Sequence, residues 1–188
     1  ECIKENKLTG MSGNGILVEQ KIQSFLASKK TSPKIIIVNG VECEPGLLHD
    51  EWLIRHKDDQ IVKGIELLKE VLHPSRVIVA IRGKSVVGER IARNGTELCR
   101  VPLRYPMGEE HFLIKQVLGV EIEKAVIPSE QGILVMNIQT VYQINRIAYE
   151  TYDGGRFITL ADLRNGEARV AYVRKGENIY RKLVECFG

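Results

Sequence analysis

Apolar residues recur along this chain in two rhythms. Lys34-Ile35-Ile36-Ile37-Val38 and Arg76-Val77-Ile78-Val79-Ala80-Ile81 are short, β-branched runs without internal charge. Such runs predict strands buried on both faces, as in a parallel sheet. Elsewhere the spacing is helical. Ile16, Val18, Ile22, Phe25 and Leu26 predict a helix from Ile16 to about Ser28, and Leu47 to about His56 predicts another. Asp58-Asp59-Gln60 opens a helix with a broad apolar face (Ile61, Val62, Ile65, Leu67, Leu68, Val71, Leu72), stopped by His73-Pro74-Ser75. Strand, helix and strand make a βαβ unit, with a right-handed crossover expected.

Further on, the pattern predicts a short helix over Lys84 to Ala92, ended by Asn94-Gly95, and a third strand over Glu97 to Val101. A helix follows Tyr105-Pro106-Met107-Gly108-Glu109-Glu110 and runs to about Leu118. A turn over Ile127 to Gln131 leads to the apolar run Gly132 to Met136. A helix from Asn137 to about Glu150 carries Ile138, Val141, Ile144 and Ile147 on one face. The character changes after Asp153-Gly154-Gly155. Arg156 to Leu160 and Ala168 to Val173 read as strands, and Ile179 to Phe187 as a helix.

Composition narrows the class. Of 188 residues, 44% are hydrophobic and 27% charged, with a net charge of +3. These values suit an ordinary globular domain and are too balanced to argue for nucleic acid. No apolar run approaches the ~20 residues that span a bilayer, so no direct membrane insertion is expected. Cys2, Cys43, Cys99 and Cys186 are far apart, without a C-x-x-C. The chain therefore supplies no zinc or iron–sulfur motif, and a reducing, cytoplasmic location is expected. The sequence starts at Glu1 rather than Met, as a piece of a longer chain would.

Candidate chemistry gathers in loops. Asn39-Gly40-Val41-Glu42-Cys43-Glu44-Pro45 follows the central strand directly. In open α/β sheets, ligands sit in the crevice beyond the strand ends. Asn39, Glu42 and Glu44 there can accept hydrogen bonds from hydroxyls or ring N–H groups. The plainer reading is a solvated acidic loop capping the next helix. Gly10-Met11-Ser12-Gly13-Asn14-Gly15 leads into a helix, an arrangement that offers free N–H groups to an anion; it also reads as an ordinary glycine loop. Glu109 and Glu110 either face a ligand or favour the first turn of their helix.

Taken together, Gly10 to Lys21, Asn39 to Pro45 with Asp50, Tyr105 to Glu110, and Gly132 with Asn137-Ile138-Gln139-Thr140 resemble one family, in order and over nearly the whole chain. It is the flavin- and NADH-binding core shared by the C subunit of the Rnf electron-transport complex and the NADH-oxidising subunit of respiratory complex I. Soluble relatives are of the cobalamin reductase and proline reductase electron-transfer type. The resemblance implies an α/β fold: a Rossmann-like, mostly parallel sheet flanked by helices over 1–152, then the start of a small β-grasp domain over 153–188, expected to be cut short. It implies FMN and NADH as cofactors. Its cofactor-binding positions would be Gly10, Gly13, Gly15, Lys21, Asn39, Glu42, Glu44, Tyr105, Gly108, Glu109, Glu110, Asn137 and Thr140. Electrons would pass to iron–sulfur centres outside this segment, held by redox partner proteins, and the chain would lie peripheral to a membrane complex.

The family loop usually reads Gly-x-Gly-Gly-x-Gly-Phe-Pro-Thr. Here Ser12 replaces a glycine, and Ile16-Leu17-Val18 stand in for Phe-Pro-Thr. Three readings stay open: an FMN-binding electron-transfer domain that acts in NADH-dependent oxidoreduction; a cofactor-free relative that docks a redox partner; and an α/β domain binding a different phosphorylated ligand at the glycine loop.

Overall fold

A computed structural model describes residues 2–12, 15–29, 33–83 and 88–188. Its centre is a parallel sheet in the order β3-β2-β1-β4, with β1 Ile35–Gly40, β2 Arg76–Arg82, β3 Thr96–Val101 and β4 Ile133–Asn137. All of β1 and β4 is buried, which explains why their sequences carry no alternation. Helices cover both faces. One face packs Ile36, Val38, Val79, Leu134 and Met136 against apolar residues of α2 (Val18–Ala27), α3 (His49–His56), α4 (Asp58–Leu72) and α6 (Ile138–Ala148). The other packs Ile35, Ile37, Ile78 and Val135 against Leu113 and Ile114 of α5 (Glu110–Leu118). The α/β expectation therefore holds. A four-residue helix α1 (Cys2–Glu5), in a stretch that showed no pattern, precedes the buried Leu8.

The expected helix over 84–92 differs. Residues 84–87 lie outside the described residues, and 88–92 form turns. Gly88 has φ +111°, incompatible with a helix, and the N–H groups of Ile91 and Ala92 both return to its carbonyl. This tight turn buries Ile91 in the core.

Helix α6 departs from the one-faced pattern. Besides its apolar residues, Gln139, Thr140, Gln143 and Asn145 are buried. An antiparallel ribbon, β5 (Arg156–Asp162) and β6 (Glu167–Val173), lies on this polar side. The Gln139 amide binds both backbone groups of Phe157, accepting from its N–H and donating to its carbonyl, while Gln143 Nε2 donates to Gly155 O at 2.9 Å. These bonds satisfy both groups of the Gln139 amide and the Nε2 of Gln143, which would otherwise be costly to bury. On the far side of α6, an ideal Cβ on Gly64 of α4 would lie 2.4 Å from Val141 O, so only glycine permits this helix contact. Helix α7 (Ile179–Phe187) follows the ribbon and contains no buried residue.

Candidate functional site

The strand order reverses at β1, whose neighbours are β2 on one side and β4 on the other. Asn137 ends β4, and its register partner Asn39 is the penultimate residue of β1. A crevice at such a switch point is where open α/β sheets bind ligands. Here it is a cavity of about 330 Å³, lined among others by Ser12, Lys21, Glu44, Tyr105, Glu109 and Val135. That size falls within the ~300–1,000 Å³ of small-molecule sites.

The asparagines build the frame. Asn39 Nδ2 donates to Gly108 O at 2.9 Å, and its Oδ1 accepts from Val41 N at 3.0 Å. It thereby ties the β1–α3 loop to the loop before α5. Gly108 allows this approach, because a Cβ there would lie 2.8 Å from Val41 O and 2.9 Å from Glu42 O. Asn137 caps α6, accepting from Gln139 N at 2.8 Å, and its Nδ2 donates to Asp50 Oδ2 at 2.7 Å. The glycine loop is closed by a bridge between Thr9 and Leu17 and by the Gly10 N–H donating to Ile16 O at 2.8 Å. Thr140 Oγ1 anchors it by accepting from Met11 N at 2.9 Å.

Eight of the residues singled out from the sequence line this one cavity: Lys21, Asn39, Glu44, Tyr105, Gly108, Glu109, Glu110 and Asn137. Gly10, Gly15 and Thr140 stand behind it as loop geometry and anchor, with Gly15 at φ +66°. Gly13 lies outside the described residues. Glu42 does not line the main cavity. It borders an adjoining space of about 150 Å³, and its Oε1 accepts the backbone N–H groups of Asp50 (2.8 Å) and Glu51 (3.3 Å) at the start of α3. Cys43 and His111 also line the main cavity, although neither counted among the expected cofactor positions. Cys43's neighbourhood of glutamates was the available signal.

The electrostatics are uneven. Lys21 Nζ lies 3.0 Å from both carboxylate oxygens of Glu110, so the ammonium at the cavity already has a counter-ion. Glu109 caps α5, accepting from His111 N and Phe112 N, and its Oε1 meets His111 Nδ1 at 3.0 Å. Burial alone would raise the Glu109 carboxyl; these bonds outweigh it and hold it below its usual range. His111 Nε2 is buried and has no hydrogen-bond partner among the described residues. The Cys43 thiol is pushed up to about 11 by burial and by the charges of Asp50, Glu42, Glu44 and Glu109, so it stays protonated at neutral pH. Burial, with Glu42 beside it, holds the Asp50 carboxyl well above its ordinary value. Burial also lowers His49, a tendency that Glu42 opposes and Arg156 assists.

No helix among the described residues is long and apolar enough to cross a membrane. Several known proteins are similar to this chain. Residues 3–146 match the family model described as the Nuo51 FMN-binding domain. The C subunit of the ion-translocating oxidoreductase complex of Haemophilus influenzae (strain 86-028NP) is 32% identical over 186 residues, covering 95% of this chain and 27% of the relative. The protein of the same description from Vibrio cholerae serotype O1 (strain ATCC 39541 / Classical Ogawa 395 / O395) is 32% identical over 151 residues, covering 78% of this chain and 19% of the relative. The chain thus spans roughly a quarter or less of these relatives. The crystal structure of NAD+-reducing NiFe hydrogenase in the air-oxidized state aligns over 97% of this chain and 37% of its own, with a TM-score of 0.79 and 17% identity. At that identity the likeness is one of fold. The family match covers most of the chain, takes in the glycine loop, the β1–α3 loop and the loop before α5, and ends within α6: this chain belongs to the Nuo51 FMN-binding domain family.

Proposed function

We propose that this chain holds FMN in the cavity between the ends of β1 and β4 and serves as the flavin module of a larger electron-transfer protein. The observation that carries this reading is the convergence of the glycine loop, the β1–α3 loop and the loop before α5 on one cavity of ligand size, in a chain of this family. The residues present fit such a group. Tyr105 is 66% exposed, which leaves its ring free to stack on a flat heterocycle. Glu44 and Glu109 offer acceptors to hydroxyls and ring N–H groups. The partnerless His111 Nε2 gains a partner if a ligand hydroxyl or N–H reaches it. A phosphate drawn to Lys21 competes with Glu110 for the same ammonium, so entry of the anion exchanges one ion pair for another.

When bound, FMN supplies the redox chemistry. The chain contributes binding and orientation, and Cys43 contributes an uncharged thiol to the cavity wall. NADH is the proposed hydride donor, oriented by Glu44 and Glu109. Iron–sulfur centres in redox partner proteins outside this segment are the proposed electron acceptors, and the assembly is peripheral to a membrane complex. We also assign 153–188 as the start of a β-grasp domain, a reading supported by an antiparallel hairpin followed by an amphipathic helix that buries no residue in the core.

One observation favours a second reading, a cofactor-free docking module: the Lys21–Glu110 ion pair leaves the cavity without a free ammonium for phosphate. Titration with FMN, read by flavin fluorescence, separates the two. Saturable one-to-one binding is expected, weakened by Glu44→Ala and by Ser12→Trp, which fills the cavity. Absence of binding at high micromolar FMN, with the circular dichroism of a folded chain, overturns the flavin reading. Bleaching of the bound flavin by NADH then tests the donor.

A further inference from the structure

We propose that Glu42, His49 and Asp50 form a binding site for a first-row divalent cation of the zinc type, beneath the β1–α3 loop and beside the flavin cavity. One donor atom from each residue lies within 4.8 Å of the others, and His49 Nε2 is 3.9 Å from Glu42 Oε2.

What distinguishes this cluster from an ordinary acidic group is how each side chain is held. Glu42 is fixed through Oε1 by the N–H groups of Asp50 and Glu51, while its buried Oε2 has no hydrogen-bond partner among the described residues. Asp50 is 1% exposed and fixed through Oδ2 by Asn137, while its buried Oδ1 likewise has no hydrogen-bond partner among the described residues. His49 is fixed through Nδ1 by Thr159 Oγ1 at 3.1 Å, which leaves Nε2 directed towards Glu42. Three side chains from two segments are thus each oriented by one atom, and one donor atom of each lies close to those of the other two. Metal-ligating histidines and carboxylates carry this kind of outer hydrogen bonding, which sets the tautomer and aims the donor. Metal binding through Nε2 requires the tautomer whose Nδ1–H donates to Thr159 Oγ1, a hydroxyl oxygen that also accepts from Leu48 N at 2.9 Å.

One imidazole and two carboxylates suit Zn²⁺, Mn²⁺ or Fe²⁺ better than the all-oxygen cations. Two donors bound to tetrahedral Zn²⁺ at ~2.1 Å stand roughly 3.4 Å apart, so each donor need move inward by less than ~1 Å. The cation would take the place of the proton that burial beside Glu42 favours on Asp50, and a fourth position would remain for water. The site does not depend on the flavin reading, since none of its three side chains lines the main cavity.

The test uses the chain after removal of metals by chelator and dialysis. Zn²⁺ is titrated calorimetrically, and Co²⁺ is followed by its visible absorption. One-to-one binding is expected, with a cobalt spectrum free of thiolate charge-transfer bands, which rules out the four cysteines as ligands. Glu42→Gln keeps the Oε1 acceptor, and with His49→Ala it should weaken Zn²⁺ at least tenfold. Thr159→Val, which removes the outer hydrogen bond of His49 together with the one from Leu48 N, should weaken it ~10–100-fold. Circular dichroism confirms that each variant is folded. Failure of the folded wild-type chain to bind either metal saturably, thiolate bands in the cobalt spectrum, or unchanged affinity in both His49→Ala and Glu42→Gln each overturns the proposal. FMN titration of the same metal-free chain reports separately on the flavin reading.

Discussion

Replacing Gly108 by alanine tests how the two loops over the cavity are held together. Gly108 does not have a positive φ, so alanine is compatible with its backbone and the cost is one of space. The new Cβ would meet Val41 O at 2.8 Å, Glu42 O at 2.9 Å and Cys43 Cα at 3.0 Å, all backbone atoms that cannot rotate away. Overpacking of this kind costs ~1–3 kcal/mol. The shift that relieves it would break the bond from Asn39 Nδ2 to Gly108 O, worth ~0.5–1.5 kcal/mol. The reduced freedom of the unfolded chain returns ~0.4–1 kcal/mol. The net is a destabilisation of about 2 kcal/mol, or roughly 4–8 °C in Tm for a chain of this size. Gly83→Ala is the control, because among the described residues its Cβ would meet only Val101 O, at 3.5 Å. Urea unfolding followed by circular dichroism compares the two. FMN affinity should fall only in Gly108→Ala, since the displaced segment lines the cavity. If Gly108→Ala costs no more than Gly83→Ala, the close loop contact is not what frames the site.

Two further outcomes follow from the charges. Burial would raise the Asp153 carboxyl, but the Tyr172 hydroxyl, the Arg146 guanidinium and the Gly155 N–H outweigh it and hold it at about 2. Its folded value lies below its unfolded value of ~3.9, so its contribution is complete above that pH and lost as pH falls towards 2; thermal melts of Asp153→Asn should lack this part of the acid sensitivity. At pH 8 a thiol with a pKa of about 11 carries roughly 100-fold less thiolate than an ordinary one, and its greater nucleophilicity recovers roughly tenfold, so Cys43 should react with iodoacetamide about tenfold more slowly than the exposed Cys2. Mass spectrometry of the labelled peptides measures this ratio, and equal rates would contradict the acidic, buried setting described for Cys43.

Much of the sheet was legible because β1, β2 and β4 are buried on both faces and their sequences say so without interruption. The helices α4 and α5 announced themselves through acidic first turns and apolar faces. What escaped was the polar interior. Gln139, Gln143 and Asn145 read as the wet side of an amphipathic helix, and only the ribbon folding back on α6 turns that side inward. The same limit applied at the site. The family resemblance marked Lys21, Glu44, Tyr105 and Glu109, which do meet at one cavity. The plainer reading of the β1–α3 loop, an acidic loop capping the next helix, describes what Glu42 does at the start of α3, but nothing marked Asn39 and Thr140 as clamps. Those roles depend on side-chain direction across long sequence separations, which periodicity does not encode.

Asn137 ends β4, and the next residue begins α6. With no linker to absorb error, the pleat of the strand sets the rotational phase of the helix. Around that helix, Thr140 faces the glycine loop, Gln139 and Gln143 face the ribbon, and Val141 faces Gly64 of α4. Each α-helical residue turns the axis by about 100°. One residue inserted at the β4–α6 junction would therefore misalign the glycine loop, the ribbon and α4 together, whereas the same insertion at the exposed tip of the β5–β6 hairpin would disturb none of them. The junction acts as the key that indexes distant parts of the chain to one another, and length variation should be excluded there while hairpin tips remain free to vary.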